Sequence, residues 1–326
     1  MSETLTFHFE GALADNHKMN FYESARFQYA AARLMVKLAQ FRSTGKFVKK
    51  ITNNSNFDVL LKSQSDGSFN INVEEPEQDK VNEDFINISI SDLIAYVSER
   101  IIEKIDETAL AETEDSGQSA PTIDSTDGTA TSALDQMAQA AMTDSEFLSG
   151  LPGQVQDLVK RRVAEFYREE RLKVSQSAIA RIDFARSQKL VAMSAPLLSE
   201  MATALRRSAD TLEVTSSNHG RSGPILFLDR RMAQDIETAV VDEDITPILG
   251  DITQFNKDNG WGKLKIENGA KTLSFSIPYD ILPTMKQTLI DNMKRDLVYL
   301  QTYFVRDRSD EVIRLIAVGI LPTPAV

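Results

Sequence analysis

The sequence predicts an α+β protein whose C-terminal part is a small, closed, five-stranded β-barrel. Three patterns favour this fold class: alternating apolar residues near the N-terminus, helical three- and four-residue spacing through the middle, and short strands joined by tight turns in the last 82 residues. These patterns divide the chain into an N-terminal α+β domain (1–105), an acidic disordered linker (106–150), a basic helical region (151–231) and the barrel with an inserted helix (232–326).

The N-terminal domain is expected to contain a strand, a helix, a hairpin and a second helix. Apolar and polar residues alternate over 5–9, which is the period of a half-buried strand. Asn20 and Glu23 have the spacing of a capping box, so a helix is expected to begin there and to end at Gly45. The two hairpin strands and the second helix are predicted at 57–61, 69–73 and 91–105.

The stretch after this domain is strongly acidic. Residues 105–150 contain ten acidic and no basic side chains. The chain has a net charge of -12, and the residues outside this stretch contribute only -2 of it. Such a composition buries too little apolar surface to offset the entropy lost on ordering. We expect a solubilising tether; the alternative is an acidic segment that folds over a basic surface of the same chain. A short alanine-rich helix over 133–141 is compatible with the sequence, but no residue is predicted to hold it in place.

The region that follows is helical and basic. From Gln154 the apolar residues share one helix face, and residues 151–231 contain 14 basic and 9 acidic side chains. A surface with this charge attracts phosphates through counterion release, although a solvated amphipathic helix has the same pattern. A further helix around Pro196 is expected to end near Thr215, and the Ser, Asn and Gly content of 216–224 predicts a loop.

The C-terminal part has the order strand, strand, strand, helix, strand, strand. The strands are predicted at 245–255, 261–266, 271–277, 297–305 and 312–321, and the helix at 280–293. Five short strands favour a barrel, because closure protects their edges. A helix between the third and fourth strands is the oligonucleotide/oligosaccharide-binding (OB) arrangement, and an SH3-like barrel with an extra helix would have the same order.

Alternation along the second of these strands predicts a candidate binding face. Leu264 is expected to point into the barrel, so that Trp261, Lys263 and Lys265 share the outer face. An exposed aromatic ring beside two ammonium groups is typical of a platform for single-stranded nucleic acid. Packing of the Trp261 ring under the loop at Pro278 or against the middle helices is the alternative interpretation. The basic helices add three further candidate residues for nucleic-acid binding, which are Arg161, Arg162 and Arg168.

Several kinds of chemistry are disfavoured by composition. The chain has no cysteine, which excludes disulfides, thiolate nucleophiles and cysteine-containing metal sites. His8 and Glu10 on one strand form at most a weak chelate, and no metal or cofactor is predicted. A metal-dependent hydrolase that uses scattered carboxylates, such as Glu10 or Asp251, is the least favoured function. Without a signal sequence or an apolar run long enough to span a bilayer, a cytoplasmic protein with no membrane contact is expected.

Short motifs at both ends of the chain occur together in one known group of proteins. These motifs are His-Lys-Met-Asn-Phe-Tyr-Glu-Ser-Ala at 17–25, Asp-Gly-Ser-Phe at 66–69, and the segments 237–244, 250–256 and 260–264. In this combination the chain resembles a family of bacterial proteins of unknown function, with a His-x-Met loop, a Gly-Ser-Phe hairpin and a strand-rich C-terminal domain. The resemblance implies this two-ended architecture and a bacterial origin; it implies no activity, cofactor or site residue.

The sequence therefore favours a non-catalytic binding or adaptor protein. Its partner is expected to be nucleic acid, contacted by the barrel and the basic helices. The alternative is a protein–protein or homo-oligomerisation module without nucleic-acid binding.

Overall fold

The structure is a computed structural model that describes residues 3–48, 50–52, 56, 59–62, 69–75, 84–105, 133–144, 146–218, 221–267, 271–294, 297–307 and 310–322. Over these residues the chain forms eight α-helices and eleven strands, in a mixed α+β fold with a closed five-stranded barrel in the C-terminal region. The predicted fold class is confirmed at this level.

The first half of the fold is built on a five-stranded antiparallel sheet. Its strands are β1 (Glu3–Glu10), β2 (Leu60–Leu61), β3 (Phe69–Glu75), β4 (Thr211–Asn218) and β5 (Arg221–Asp229). They lie in the order β2-β3-β1-β4-β5, so β1 is central. Its alternating residues Leu5, Phe7 and Phe9 are buried, as predicted. The predicted turn at Asp66-Gly67 lies outside the described residues.

Strands β4 and β5 contradict the prediction for the middle of the chain. Residues 216–224 were expected to form a loop after a helix ending near Thr215, whereas the helix ends at Ala202 and a hairpin follows. The polar run at 216–218 is extended because β4 is paired on both sides, and ladder hydrogen bonds override local preference. The sheet therefore joins strands from the predicted N-terminal domain to strands from the predicted helical region.

The helices surround this sheet and the barrel. They are α1 (Phe21–Thr44), α2 (Ile90–Ile101), α3 (Ala133–Thr143), α4 (Gly153–Val174), α5 (Gln176–Ile179), α6 (Phe184–Ala202), α7 (Arg230–Thr238) and α8 (Leu282–Asn292). In α1, Phe27 packs edge-on against Phe7 and Phe9, with ring centroids 5.3 and 4.9 Å apart. Within the described part of the chain, no helix combines the length and the apolar character that a bilayer crossing requires.

The ends of the first two helices follow their sequence signals in part. Asn20 caps α1, because its side chain accepts hydrogen bonds from the amides of Tyr22 and Glu23. The Glu23 carboxylate does not complete a capping box; it accepts a 2.5 Å hydrogen bond from Ser208 Oγ. Gly45 ends the helix with φ of 66°, a left-handed conformation that favours glycine. Helix α2 ends at Ile101, four residues earlier than predicted.

Part of the predicted linker is folded. Helix α3 buries Leu134, Met137 and Ala138 in a small core that also contains Val155 of α4. Asp135 anchors α3 further, because Arg162 Nε lies 2.6 Å from its carboxylate. The expectation that nothing holds this helix in place is therefore wrong. Residues 106–132 of the predicted linker lie outside the described residues.

The barrel matches its predicted order closely. Its strands are β7 (Thr246–Phe255), β8 (Trp261–Ile266), β9 (Thr272–Ser276), β10 (Val298–Arg306) and β11 (Val312–Leu321), and the short β6 (Val240–Val241) extends β10 at its edge. Pairing runs β7-β8-β9-β11-β10 and back to β7, with β9 and β11 parallel. Leu264 is fully buried, as predicted, and Gly262 is required because a Cβ there would overlap the Phe275 ring.

Candidate functional site

A cleft of about 440 Å³ separates the barrel from the helices. The barrel side is formed by β8, β9 and β11. The opposite side is formed by residues 102–105, which follow α2, and by side chains of α4 and α7. This volume falls within the range of roughly 300–1,000 Å³ that is usual for ligand pockets. The cleft is therefore the candidate site.

Three of the predicted site residues meet in this cleft: Trp261, Lys263 and Arg161. Lys263 Nζ lies 5.2 Å from the centre of the Trp261 ring. Trp261 itself is only 3% exposed, so its prediction as an exposed stacking platform is wrong. Alternation along β8 correctly placed its side chain outside the barrel core, but the helices cover that face, and Leu158 of α4 lines the same cleft.

The other three predicted residues lie elsewhere. Lys265 is exposed and is not part of the cleft wall. Arg162 is buried among carboxylates, with Asp135 at 2.6 Å and Glu165 at 2.9 Å. Arg168 is also buried, and its Nε lies 3.3 Å from Glu99. Their predicted role as nucleic-acid ligands is therefore corrected: these guanidinium groups neutralise carboxylates inside the protein, as buried charges must.

Arg161 and Arg314 have incompletely satisfied guanidinium groups. The Nη2 group of Arg161 donates to the carbonyl of Glu103, and that of Arg314 donates to the carbonyl of Ile101. Arg161 Nε and Arg314 Nη1 are also buried, yet neither has a hydrogen-bond acceptor among the described residues. Among the described residues, the carboxylate of Glu165 pairs with Arg161 Nε only at 3.9 Å.

Burial at the cleft shifts the pKa values of two lining residues. Burial lowers the pKa of the Arg314 guanidinium; the carboxylates of Glu103 and Asp235 oppose this effect, and Arg161 adds to it. Burial raises the pKa of Asp235, Arg231 opposes the shift, and Glu103 adds to it. Both shifts follow from placing charged groups in a poorly hydrated space.

Basic groups outnumber acidic groups in the lining, five to three. One of the five, Lys104, is neutralised by Glu99, which lies 2.7 Å from its ammonium group. The acidic groups also have partners: Glu103 accepts a 2.9 Å hydrogen bond from Ser274, Asp229 caps α7, and Asp235 likewise interacts with a neighbour. The remaining basic groups are those of Arg161, Arg231, Lys263 and Arg314. The cleft is thus suited to a ligand that carries negative charge together with hydrogen-bond donors.

Arg314 is the most important residue that the sequence analysis missed. A signal for it was present, since it is the one charged residue within the apolar run 312–318. A lone arginine in a buried strand requires a partner or a function. Arg231 and Asp235 had no comparable signal, because their place at the cleft depends on how α7 packs beside the barrel.

His8 and Glu10, which by sequence form at most a weak chelate, have a structural role. His8 Nε2 lies 3.0 Å from Glu10, and Lys160 Nζ lies 2.7 Å from the same carboxylate. The hydrogen bond from His8 lowers the pKa of Glu10 to about 2, and the same contact raises the pKa of His8. This carboxylate therefore connects β1 to α4. Among the described residues, no three potential metal ligands cluster together.

Comparisons with protein-family models, with curated proteins and with solved structures find no match to this chain. The resemblance to a bacterial family of unknown function therefore stays a prediction.

Proposed function

We propose that this is a non-catalytic binding protein whose cleft holds a nucleoside phosphate. The ligand is either a free nucleotide or the phosphate-bearing end of a nucleic-acid strand. The observation that carries the proposal is the pair of buried N–H donors without acceptors, Arg161 Nε and Arg314 Nη1, in side chains that line the cleft beside Lys263.

The barrel topology supports this choice of site. Numbered within the barrel, the strands pair in the order 1-2-3-5-4-1, with strands 3 and 5 parallel and a helix between strands 3 and 4. We assign this arrangement to the OB type. OB barrels bind their ligands on the face of strands 2 and 3, which here are β8 and β9, the strands that line the cleft.

Energetics favour a phosphate as the group that the two arginines bind. Each buried donor without an acceptor costs roughly 1–3 kcal/mol. Neither N–H group is exposed in the empty cleft, so both arginine side chains would turn toward the ligand, and a charge-assisted hydrogen bond to a phosphate oxygen would then offset that cost. Bringing Lys263 to the same anion would add a third positive charge. The free energy lost because these two donors have no acceptor in the empty cleft would then be recovered when the phosphate binds.

The rest of the lining suits a nucleoside more than a bare anion. Carboxylates such as those of Glu103 and Asp235 accept hydrogen bonds from amino groups, which nucleobases provide. The Trp261 ring supplies apolar surface beside them. Because the volume is about 440 Å³ and the ring is covered, the cleft fits one nucleotide better than a strand passing across a groove.

Trp261 is the only tryptophan in the chain, so its emission reports directly on the cleft. We would titrate the protein at low salt with a nucleoside 5′-monophosphate, the same nucleoside without phosphate, and inorganic phosphate. The nucleotide should change the emission and bind at least tenfold more tightly than either fragment. Two single-stranded 20-mers, with and without a 5′ phosphate, would distinguish a strand end from a free nucleotide.

Two lysines on one strand form a matched pair of variants. Lys263→Gln should weaken nucleotide binding about tenfold, because it removes a cation from the cleft. Lys265→Gln removes an exposed cation two residues away, outside the cleft, and should leave the affinity unchanged. Failure of every ligand to alter the emission, or equal effects of the two variants, would exclude the cleft as the binding site.

A further inference from the structure

The N-terminal half of α1 presents an apolar face to solvent. Phe21, Tyr22 and Tyr29 are 89%, 68% and 61% exposed. Ala25 lies between them and Ala32 follows Tyr29, and both alanines are exposed. At 3.6 residues per turn these five side chains fall within an arc of about 100°. We call this surface the α1 face.

The spacing on the α1 face is that of a seam between two helices. Tyr22, Ala25, Tyr29 and Ala32 follow one another at alternating intervals of three and four residues, the heptad pattern of helix pairing. The next two positions of the same pattern are Val36 and Ala39, which are buried inside the protein. The chain thus covers the second half of the seam itself and leaves the first half open.

Positive charge lies along one edge of the α1 face. The guanidinium groups of Arg26 and Arg33 lie 5.7 and 5.2 Å from the ring centres of Tyr22 and Tyr29. Arg26 also pairs with Glu200 at 3.3 Å, which balances much of its charge, so Arg33 contributes most of the positive potential. The only acidic residue of α1, Glu23, is buried. An occupant of this face should therefore be apolar along its centre and acidic along one edge.

We infer that the α1 face binds an amphipathic helix of a protein partner, with acidic residues beside its apolar stripe. Small residues alternating with large rings let a second helix approach closely, and the heptad spacing is the one at which two helices pair side by side. The seam from Tyr22 to Ala32 is about 15 Å long, so the contact is short and suits reversible binding.

Two other occupants fit less well. In an antiparallel pair of α1 helices from two copies, the edge that carries Arg26 and Arg33 would face the same edge of the other copy, and like charges oppose that contact. A nucleic-acid strand fits less well because Ala25 and Ala32 have neither an aromatic ring on which a base could stack nor a charge that could pair with a phosphate. In addition, each exposed tyrosine already has an arginine near its ring. Both occupants remain as outcomes of the test.

The probes are two synthetic 21-residue helical peptides with leucine at the seam positions, one with glutamate and one with lysine along the edges. Fluorescence anisotropy should detect binding of the acidic peptide to the full-length protein and at least tenfold weaker binding of the basic peptide. Tyr29→Asp should abolish binding, and Arg33→Glu should reverse the charge preference. Val174→Asp, at an exposed apolar position on α4, is the matched control and should have no effect.

Three results would overturn the inference. The first is that neither peptide binds. The second is that a single-stranded 20-mer binds and that Tyr29→Asp abolishes this binding, which would assign the face to nucleic acid. The third is concentration-dependent dimerisation in analytical ultracentrifugation that Tyr29→Asp abolishes, which would assign it to a second copy. Tyr29→Asp should not alter the nucleotide titration that is followed by Trp261 emission. The two experiments therefore distinguish a failure of this inference from a failure of the proposed function.

Discussion

The Nε atom of Arg168 lies 3.3 Å from Oε2 of Glu99, and both side chains are almost completely buried. Lys104 Nζ lies 2.7 Å from Oε1 of the same carboxylate, and the amide of Tyr279, just before α8, donates to it over 3.2 Å. Burial alone would raise the pKa of Glu99, but Lys104 and Arg168 outweigh burial and lower it. Glu99 therefore connects α2, α4 and the barrel as an ionised group.

Arg168→Met should destabilise the protein by about 3–5 kcal/mol, because it leaves part of a buried carboxylate uncompensated. Urea denaturation measures this change. The control is Arg186→Met, which removes an exposed pair with Asp183 and should cost at most about 1 kcal/mol. If Arg168→Met left stability unchanged and instead weakened oligonucleotide binding, Arg168 would be a ligand-binding residue after all.

Glu169 should make stability depend on pH. Burial raises its pKa to about 7, although Arg162 opposes the shift. Arg162 lies 3.3 Å from Glu169 but closer to Asp135 and Glu165, which already neutralise it. An unfolded glutamate loses its proton near pH 4.5, so between pH 4.5 and 7 the folded state binds more protons. Stability should therefore fall as pH rises through this window.

Glu169→Gln should flatten that pH dependence, because the amide mimics the protonated acid at every pH. We expect the variant and the wild type to have similar stabilities at pH 4.5. At pH 8 the variant should be more stable by an amount on the order of 1–3 kcal/mol. Urea denaturation at four pH values between these limits provides the comparison. Parallel curves for the two proteins would mean that Glu169 titrates normally.

The acidic stretch begins beside the cleft, because Ile105 lines the cleft and Asp106 and Glu107 follow it. Neutralising the seven acidic residues of 106–132 should strengthen nucleotide binding a few-fold at low salt. Affinity measured at about 1 M salt, where the Debye length is ~3 Å, should show no difference. The control neutralises Glu243 and Asp244, which do not line the cleft. An unchanged affinity at low salt would show that the stretch does not shield the site.

Local patterns were sufficient to predict the barrel strands and the first helices. Alternation and turn residues over 261–277 depend only on neighbours in the chain, and these strands were located to within about one residue. Strand β4 was missed because its conformation depends on pairing with β1, some 200 residues away. Leu212 and Val214 do alternate with Glu213 and Thr215, but this signal is short and runs into the polar residues 215–218, whose extended conformation depends on the distant partner.

The candidate site was predicted only in part for a related reason. Alternation on β8 correctly put Trp261 and Lys263 on one side, but it contained no information on what covers that side. Arg162 and Arg168 were assigned to solvent because their carboxylate partners include Asp135 and Glu99, on other elements of the fold. Patterns in a single sequence locate charged residues along a helix, whereas tertiary packing determines which of these residues stay exposed to a ligand.

The most direct test of the proposed site is the thermal shift caused by a nucleoside 5′-monophosphate in the wild type and in Arg314→Met. Removing the guanidinium loses its hydrogen bond to Ile101 but also removes a buried cation with an unsatisfied donor. The melting temperature without ligand should therefore change by no more than about 5 °C, which is ~1–2 kcal/mol for a large chain. The nucleotide should raise the melting temperature of the wild type and leave that of Arg314→Met unchanged. An equal rise in both proteins, or no rise in the wild type, would contradict the account.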